Sequence, residues 1–296
     1  MAGGDTTRVI IGGAPALNGA TVREQCADFA RRFDHLRLML IQPPHGALHM
    51  CPVLLLPPGA PDTDFGVIIM ESMGYPPISG SNLFCAAAVA LERGFAVMRE
   101  PETRLRVETP AGIVALTAQC RDGRCRRVEF ENTPARIRKS LSVEIESTAA
   151  PVPVTLISAG VDYAVVDAGD PGIPLASESG DALIRAGEAL ATGADTDFVL
   201  FHGPIHVTPP GADCTVAVFQ NPGVICRSPT GTGTSAMLVL AHARGLLGPG
   251  QPLTTRSPTG GSFLGRILSI QETADGAILR TLIAGDVTTG VELSLP

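Results

Sequence analysis

Two short segments of this chain place hydroxyl residues where a helix would begin. One reads Ser79-Gly80-Ser81-Asn82 and runs through an apolar stretch to Arg93-Gly94. The other reads Thr230-Gly231-Thr232-Gly233-Thr234 and runs through a second apolar stretch to Arg244-Gly245. Both their starts and their ends are 151 positions apart, so they read as copies within an internal repeat. A helix N-terminus leaves its first N–H groups without intrahelical partners and carries partial positive charge. Glycine there lets a ligand approach the backbone closely. Gly80, Ser81 and Asn82, with Gly231, Thr232 and Gly233, are therefore candidate contacts for a small carboxylate, with no arginine required. Ser79 and Thr230 would then lie beside the carbon that bears it. That arrangement suits removal of a proton from one face, with a second group on the other. The fixed donors would stabilise charge that spreads onto the carboxylate as the proton leaves. Serine and threonine are also ordinary helix caps, worth about 1 kcal/mol each. Their matched positions in a repeat favour the chemical reading.

The rest of the chain narrows the classes of function. With 296 residues, 45% of them hydrophobic and 17% charged, it is long and apolar enough for two globular domains. A net charge of -7, ten Phe, two Tyr and no Trp argue against a surface that tracks nucleic-acid phosphates or stacks bases. The seven cysteines form no CxxC pair, which argues against a zinc site or a disulfide framework and for a reducing, cytoplasmic setting. The first residues lack the pattern of a secretion signal, and no apolar run is long enough to cross a membrane. His202 and His206 lack an evident third ligand, so no metal site is expected, and both read as loop residues. The Gly231-Thr232-Gly233 run is not a full dinucleotide fingerprint, and no acidic residue follows about 20 positions on.

Around the two special segments, local signals suggest the elements that hold them. Thr21 and Glu24 fit a capping box, with Val22, Cys26, Phe29, Ala30 and Phe33 on one face of a helix over 21–33. Strands are expected over 8–12, 36–41, 65–70, 105–108, 113–117, 127–131, 152–157, 163–166, 215–219, 224–225, 267–270, 277–283 and 291–295. Asp122-Gly123 and Pro110-Ala111-Gly112 read as turns. A helix is expected over 181–190, capped by Asp181. The special helices should span 82–93 and 235–244. The pattern is α+β: two similar domains that part near residue 125, with a cleft between them.

At these residues the chain resembles the proline racemase superfamily, which includes proline racemase, 4-hydroxyproline epimerase and trans-3-hydroxy-L-proline dehydratase. The resemblance is carried by Arg227-Ser228-Pro229-Thr230-Gly231-Thr232-Gly233-Thr234-Ser235-Ala236 and the later His242-Ala243-Arg244-Gly245. Gly74-Tyr75-Pro76-Pro77-Ile78-Ser79-Gly80, Thr109-Pro110-Ala111-Gly112, Asn132-Thr133-Pro134 and the Ser257–Phe263 stretch support it. It implies two barrel-like α/β domains, each around a central helix as in diaminopimelate epimerase, with the C-terminal strand returned to the first, so that the domains are 1–125 with 284–296 and 126–283, and with the active site in the cleft between them. It also implies cofactor-free chemistry on a small amino or imino acid, often in a homodimer.

Departures from the family pattern steer the functional expectation. Racemases and many epimerases carry a cysteine at both helix starts, whereas here the two positions are Ser79 and Thr230. Threonine at the second position marks the dehydratase branch, and one base suffices for a dehydration. An unassisted serine hydroxyl is, however, a weak base near neutral pH. Ser81 stands where many members have histidine, and Cys226 where the family usually has the aspartate that helps hold the ring nitrogen. Asp162 is a candidate substitute for that charge, and Cys226 for a displaced thiolate. Dehydration of trans-3-hydroxy-L-proline to pyrroline-2-carboxylate is the leading expectation, with Ser79 as the proton acceptor and Thr230 as the opposite-face hydroxyl that orients the substrate or leaving group. Epimerisation or racemisation of a proline, a double-bond shift in an unsaturated ring acid, and carboxylate binding without catalysis are the alternatives.

Overall fold

The computed structural model describes residues 1–293 and resolves them into an α+β chain of two compact units, Met1–Phe130 with the described residues from Gly285 on, and Glu131–Ala284. In the first unit the elements run β1 (Thr7–Ile10), α1 (Val22–Ile41), β2 (Cys51–Leu56), β3 (Phe65–Ile69), α2 (Gly80–Glu92), β4 (Glu102–Thr109), β5 (Gly112–Arg121) and β6 (Arg124–Glu131). The second continues with β7 (Arg136–Val143), β8 (Val152–Ser158), β9 (Asp162–Asp167), α3 (Gly180–Ala194), β10 (Phe198–His202), β11 (His206–Thr208), β12 (Gly211–Gln220) and β13 (Val224–Ile225). It closes with α4 (Gly231–Ala243), β14 (Pro252–Arg256), β15 (Ser262–Thr273) and β16 (Gly276–Asp286).

Strand pairing extends the repeat from two short segments to the architecture of each unit. Parallel neighbours need a crossover, usually a helix. In the first unit β1 and β2 pair in parallel across α1, and β3 and β4 in parallel across α2. In the second, β9 and β10 pair in parallel across α3, and β12 and β14 in parallel across α4. Antiparallel pairs β2–β3 and β10–β12 link the two crossovers of each unit. Antiparallel hairpins β4–β5–β6 and β14–β15–β16 follow. β7 and β8 are an addition at the start of the second unit.

The helices divide into two kinds. α1 packs on β2, β3 and β4 through Val22, Cys26 and Phe29, and α3 packs on its sheet through Leu183, Ala186 and Leu190. Both are one-sided. α2 and α4 are buried along almost their whole length and built mostly of small and apolar residues, as a helix surrounded by other elements must be. β1, β2 and β3 contact α2; β7, β8, β9, β14 and β15 contact α4. The two helices also end alike. At each, the glycine after the C-cap takes a positive φ (Gly94 75°, Gly245 69°). The N–H beyond it bonds five residues back, Phe95 to Ala90 at 2.8 Å and Leu246 to Ala241 at 2.9 Å. This is a Schellman end, and it explains the matched Arg-Gly pairs.

Two local signals that complete themselves within a few residues are realised. Thr21 and Glu24 form the capping box, and Asp122 and Gly123 take φ 56° and 68° at the β5–β6 turn. Several expectations are corrected. Residues 36–41 are not a strand: α1 continues through a kink at Phe33 (φ -130°, ψ 18°), held by the Asp34–Arg37 pair at 2.7 Å and by burial of Leu40 and Ile41. Ser179, not Asp181, is the N-cap of α3, and Asp181 sits in its first turn. α2 and α4 begin two and four residues earlier than expected. Strands β2, β7, β10 and β14 were not expected from the sequence. His202 is not in an exposed loop but is 1% exposed at the end of β10, where burial lowers its pKa. His206 is exposed, in the short strand β11. Residues 291–293 form no strand, and 294–296 lie outside the described residues.

Candidate active site

The start of α2 is built from the first unit's own loops. β3 is an uninterrupted apolar strand that ends in a tight turn closed by reciprocal Glu71–Gly74 backbone bonds of 2.8 and 3.1 Å. Arg37 of α1 holds this turn, donating to the carbonyls of Glu71 (2.9 Å) and Ser72 (3.4 Å). Asp34 in turn holds Arg37 and accepts the Tyr75 hydroxyl at 2.8 Å. The Arg37 hydrogen bond is the main reason the Asp34 carboxyl titrates below its ordinary range. Pro76 and Pro77 then stiffen the approach to Ser79.

Ser79 is extended (φ -154°, ψ 119°), and its side chain caps no backbone N–H. Its Oγ instead accepts the Asn82 side-chain amide at 3.0 Å. That amide nitrogen also donates to Glu71 Oε1 at 3.0 Å, and Asn82 Oδ1 accepts the Thr7 hydroxyl at 2.8 Å. Asn82 is 1% exposed and Glu71 9%. Gly80 and Ser81 are buried beside them at the helix start.

The start of α4 solves the same local problem differently. Thr230 takes φ 58° and ψ 146°, a region that a β-branched residue rarely enters. Its N–H donates to Ser228 Oγ at 3.1 Å, and its carbonyl accepts the Thr234 hydroxyl at 2.8 Å. Thr230 Oγ1 accepts the Gly233 N–H at 2.8 Å and is hydrogen-bonded to the Tyr163 hydroxyl at 3.0 Å. Tyr163, buried in β9, also reaches Thr232 Oγ1 at 2.7 Å. Gly233 is required by this packing, because a Cβ there would lie 2.6 Å from Thr230 Oγ1. Upstream, the Arg227 carbonyl accepts the hydroxyls of Ser257 and Thr259, both at 2.6 Å.

Each predicted set is thus gathered at its own helix start: Ser79, Gly80, Ser81 and Asn82 on α2, and Thr230, Gly231, Thr232 and Gly233 on α4. Cys226 lies just after β13, with its thiol 3.7 Å from Gln220 Oε1. Asp162, the candidate substitute charge, lies 3.7 Å from Arg138. All seven cysteines are free. Burial raises the Cys85 thiol pKa and pushes those of Cys125 and Cys214 up to about 12, so these are packing groups rather than nucleophiles. His242 Nδ1 is 3.0 Å from the Leu247 carbonyl, a structural role. Among the described residues, no group of three or more His, Cys, Asp or Glu could hold a metal ion, and no helix is long and apolar enough to cross a membrane.

Three residues that shape these starts carry no local sequence signal for the role. Glu71 follows a strand of apolar residues, Thr7 belongs to β1, and Tyr163 is an ordinary strand aromatic. Of these, only the acidic residue ending an apolar run is unusual enough to draw notice.

The family model described as proline racemase matches residues 1–293. The chain belongs to the proline racemase family. A 4-hydroxyproline 2-epimerase of Rhizobium etli is 34% identical over 303 residues, covering 97% of this chain and 88% of that protein. The crystal structure of a probable proline racemase from Agrobacterium radiobacter, with bound carbonate, matches with a TM-score of 0.85 and 30% identity over 100% of this chain and 91% of that one. That of a hydroxyproline epimerase from Agrobacterium vitis, with bound trans-4-OH-L-proline, matches with a TM-score of 0.84 and 30% identity, covering 98% and 89%. In this member of the proline racemase family, the matched hydroxyl starts are those of the two enclosed helices.

Proposed function

We propose that the protein acts without a cofactor on a proline-like carboxylic acid, and that its reaction is dehydration of trans-3-hydroxy-L-proline to pyrroline-2-carboxylate. The observation that carries this reading is the inequality of the two hydroxyls. Thr230 Oγ1 is committed to its helix start, taking the Gly233 N–H and bonding Tyr163, whereas Ser79 caps no backbone N–H. Epimerisation needs a proton-transfer group on each face of the α-carbon. Dehydration needs one there, because the β-hydroxyl departs instead of a second proton arriving.

In this reading the Ser79 hydroxyl passes its own proton to the departing β-hydroxyl, which leaves as water, and takes the α-proton in its place, while the electron pair left on carbon forms the Cα–Cβ double bond. The enamine product then tautomerises to the cyclic imine. Gly80, Ser81 and Asn82 bind the carboxylate through their backbone N–H groups. Thr230, Gly231, Thr232 and Gly233 serve the same turnover as the second set, with Thr230 orienting the substrate or its leaving group. Cys226 occupies the position that serves the ring nitrogen.

Epimerisation of a 4-hydroxyproline is the second reading, favoured by the relatives named for that reaction at 34% identity and by the hydroxyproline-bound structure at 30%. Incubation in D₂O with trans-3-hydroxy-L-proline and, separately, trans-4-hydroxy-L-proline distinguishes them. Pyrroline-2-carboxylate from the first substrate is the expected result. Deuterated epimer from the second, with no product from the first, would establish the other reaction. Tight binding of pyrrole-2-carboxylate with no turnover of either would leave a binding protein.

A further inference from the structure

We infer that Glu71 and the Asn82 side chain are positioning residues for the Ser79 hydroxyl, an assignment that rests on the reading of Ser79 as the proton-transfer group. A carboxylate can only accept hydrogen bonds, and a side-chain amide has one donor end and one acceptor end. Glu71 Oε1 lies 3.0 Å from Asn82 Nδ2, and the Thr7 hydroxyl lies 2.8 Å from Asn82 Oδ1. The carboxylate therefore fixes which way the amide faces. The second N–H of the same nitrogen must then go to Ser79 Oγ, which is 3.0 Å away.

Ser79 is left with no choice of role toward Asn82: it accepts. Its own proton and its remaining lone pair face away from Asn82. As Oγ hands its own proton to the departing hydroxyl it gains negative charge until the α-proton replaces it, and the Asn82 N–H stays in place as a charge-assisted donor; such bonds are roughly twice as strong as neutral ones. This answers the weakness of an unassisted serine hydroxyl as a base. The donor is preorganised, because Asn82 and Glu71 are both buried and held from two directions. At α4 the residue three positions after the hydroxyl is Gly233, whose backbone N–H takes the place of the Asn82 side chain. A donor to the helix-start hydroxyl is thus common to both starts, but only at α2 does a carboxylate orient it.

Three full-length variants test the assignment: Glu71→Gln, Asn82→Asp and Ser79→Ala. Asn82→Asp replaces the donor by an acceptor and should lower kcat by about 10²- to 10³-fold, the range for loss of one oxyanion donor. KM should change by less than about threefold, since uniform binding is untouched. Glu71→Gln leaves a side chain that can donate or accept, so the amide is free to turn; kcat should fall by about tenfold. The readout independent of turnover is the pair of Asn82 side-chain amide proton resonances. Ser79→Ala should move one of them and Glu71→Gln the other. Unchanged resonances and kinetics in Glu71→Gln would overturn the positioning role. A loss above about 10³-fold in Glu71→Gln with little change in Asn82→Asp would overturn it too, making Glu71 itself the proton acceptor. If the unaltered protein turns over no hydroxyproline, the functional reading fails while the resonances still decide the geometry.

Discussion

The starts of α2 and α4 are built on matching crossovers, lead into helices of 13 residues each, and finish in the same Schellman geometry. They differ where chemistry would occur. At α2, Ser79 is in relaxed extended backbone, and its surroundings are charged or strongly dipolar: Glu71, Asn82 and the Asp34–Arg37–Tyr75 cluster behind them. At α4, Thr230 sits at φ 58° among neutral hydroxyls from Ser228, Tyr163 and Thr234. The repeat has kept the scaffold and changed the loading of its two ends. One end sets a buried carboxylate and amide beside its hydroxyl; the other ties its hydroxyl to a backbone N–H and a neutral phenol.

The sharpest way to break that comparison is to remove each hydroxyl in turn. Ser79→Ala should lower kcat by about 10²- to 10⁴-fold, the usual range for a proton-transfer group. Thr230→Ala should cost markedly less activity, while pyrrole-2-carboxylate binding stays within a few-fold in both. Steady-state kinetics and calorimetry measure the two; equal losses of kcat would restore symmetry and favour epimerisation. Next in size, Gly233→Ala drives a Cβ to 2.6 Å from Thr230 Oγ1. Denaturant unfolding should show a loss of about 1–3 kcal/mol, the usual cost of overpacking.

A smaller effect separates strain from capping at Thr230. Alanine there loses the cap and keeps the unfavourable backbone, so it should destabilise by about 1–2 kcal/mol. Glycine loses the same cap but accepts φ 58° without strain, so it should unfold within about 1 kcal/mol of the parent. A glycine variant weaker than the alanine variant would remove strain from the description.

The smallest predicted difference is in acid. The Arg37 hydrogen bond, with that from Tyr75, holds the folded pKa of Asp34 below its ordinary value. A depressed carboxylate pKa stabilises the fold at pH values above the unfolded value, about 4, and that contribution is lost as pH falls through the folded one. Hydrogen-exchange protection at 71–75 should therefore decline in that window before protection at 228–234 does. Simultaneous loss would show that the Asp34 cluster does not secure the α2 start.

What the sequence carried by itself was written between near neighbours. Thr21 and Glu24 cap a helix three residues apart, and Asp122-Gly123 turns a hairpin because a non-glycine residue at positive φ is tolerated there chiefly as Asp or Asn. Ser79-Gly80 and Thr230-Gly231 marked the helix starts, and their spacing disclosed the repeat. Tertiary structure decided the rest. Residues 36–41 have the apolar content of a strand, yet they stay helical because Arg37 is anchored to a turn 34 residues away. β2 hides behind Pro52, which is tolerated opposite Arg8 in the parallel pair with β1. The sequence named Ser79 and Thr230 as a matched pair, with Ser79 the expected proton acceptor and Thr230 the orienting hydroxyl, but it could not show how either is held. Their inequality depends on Glu71, Thr7 and Tyr163, reached only by folding, because a hydrogen bond is set by distance in space and leaves no pattern along the chain.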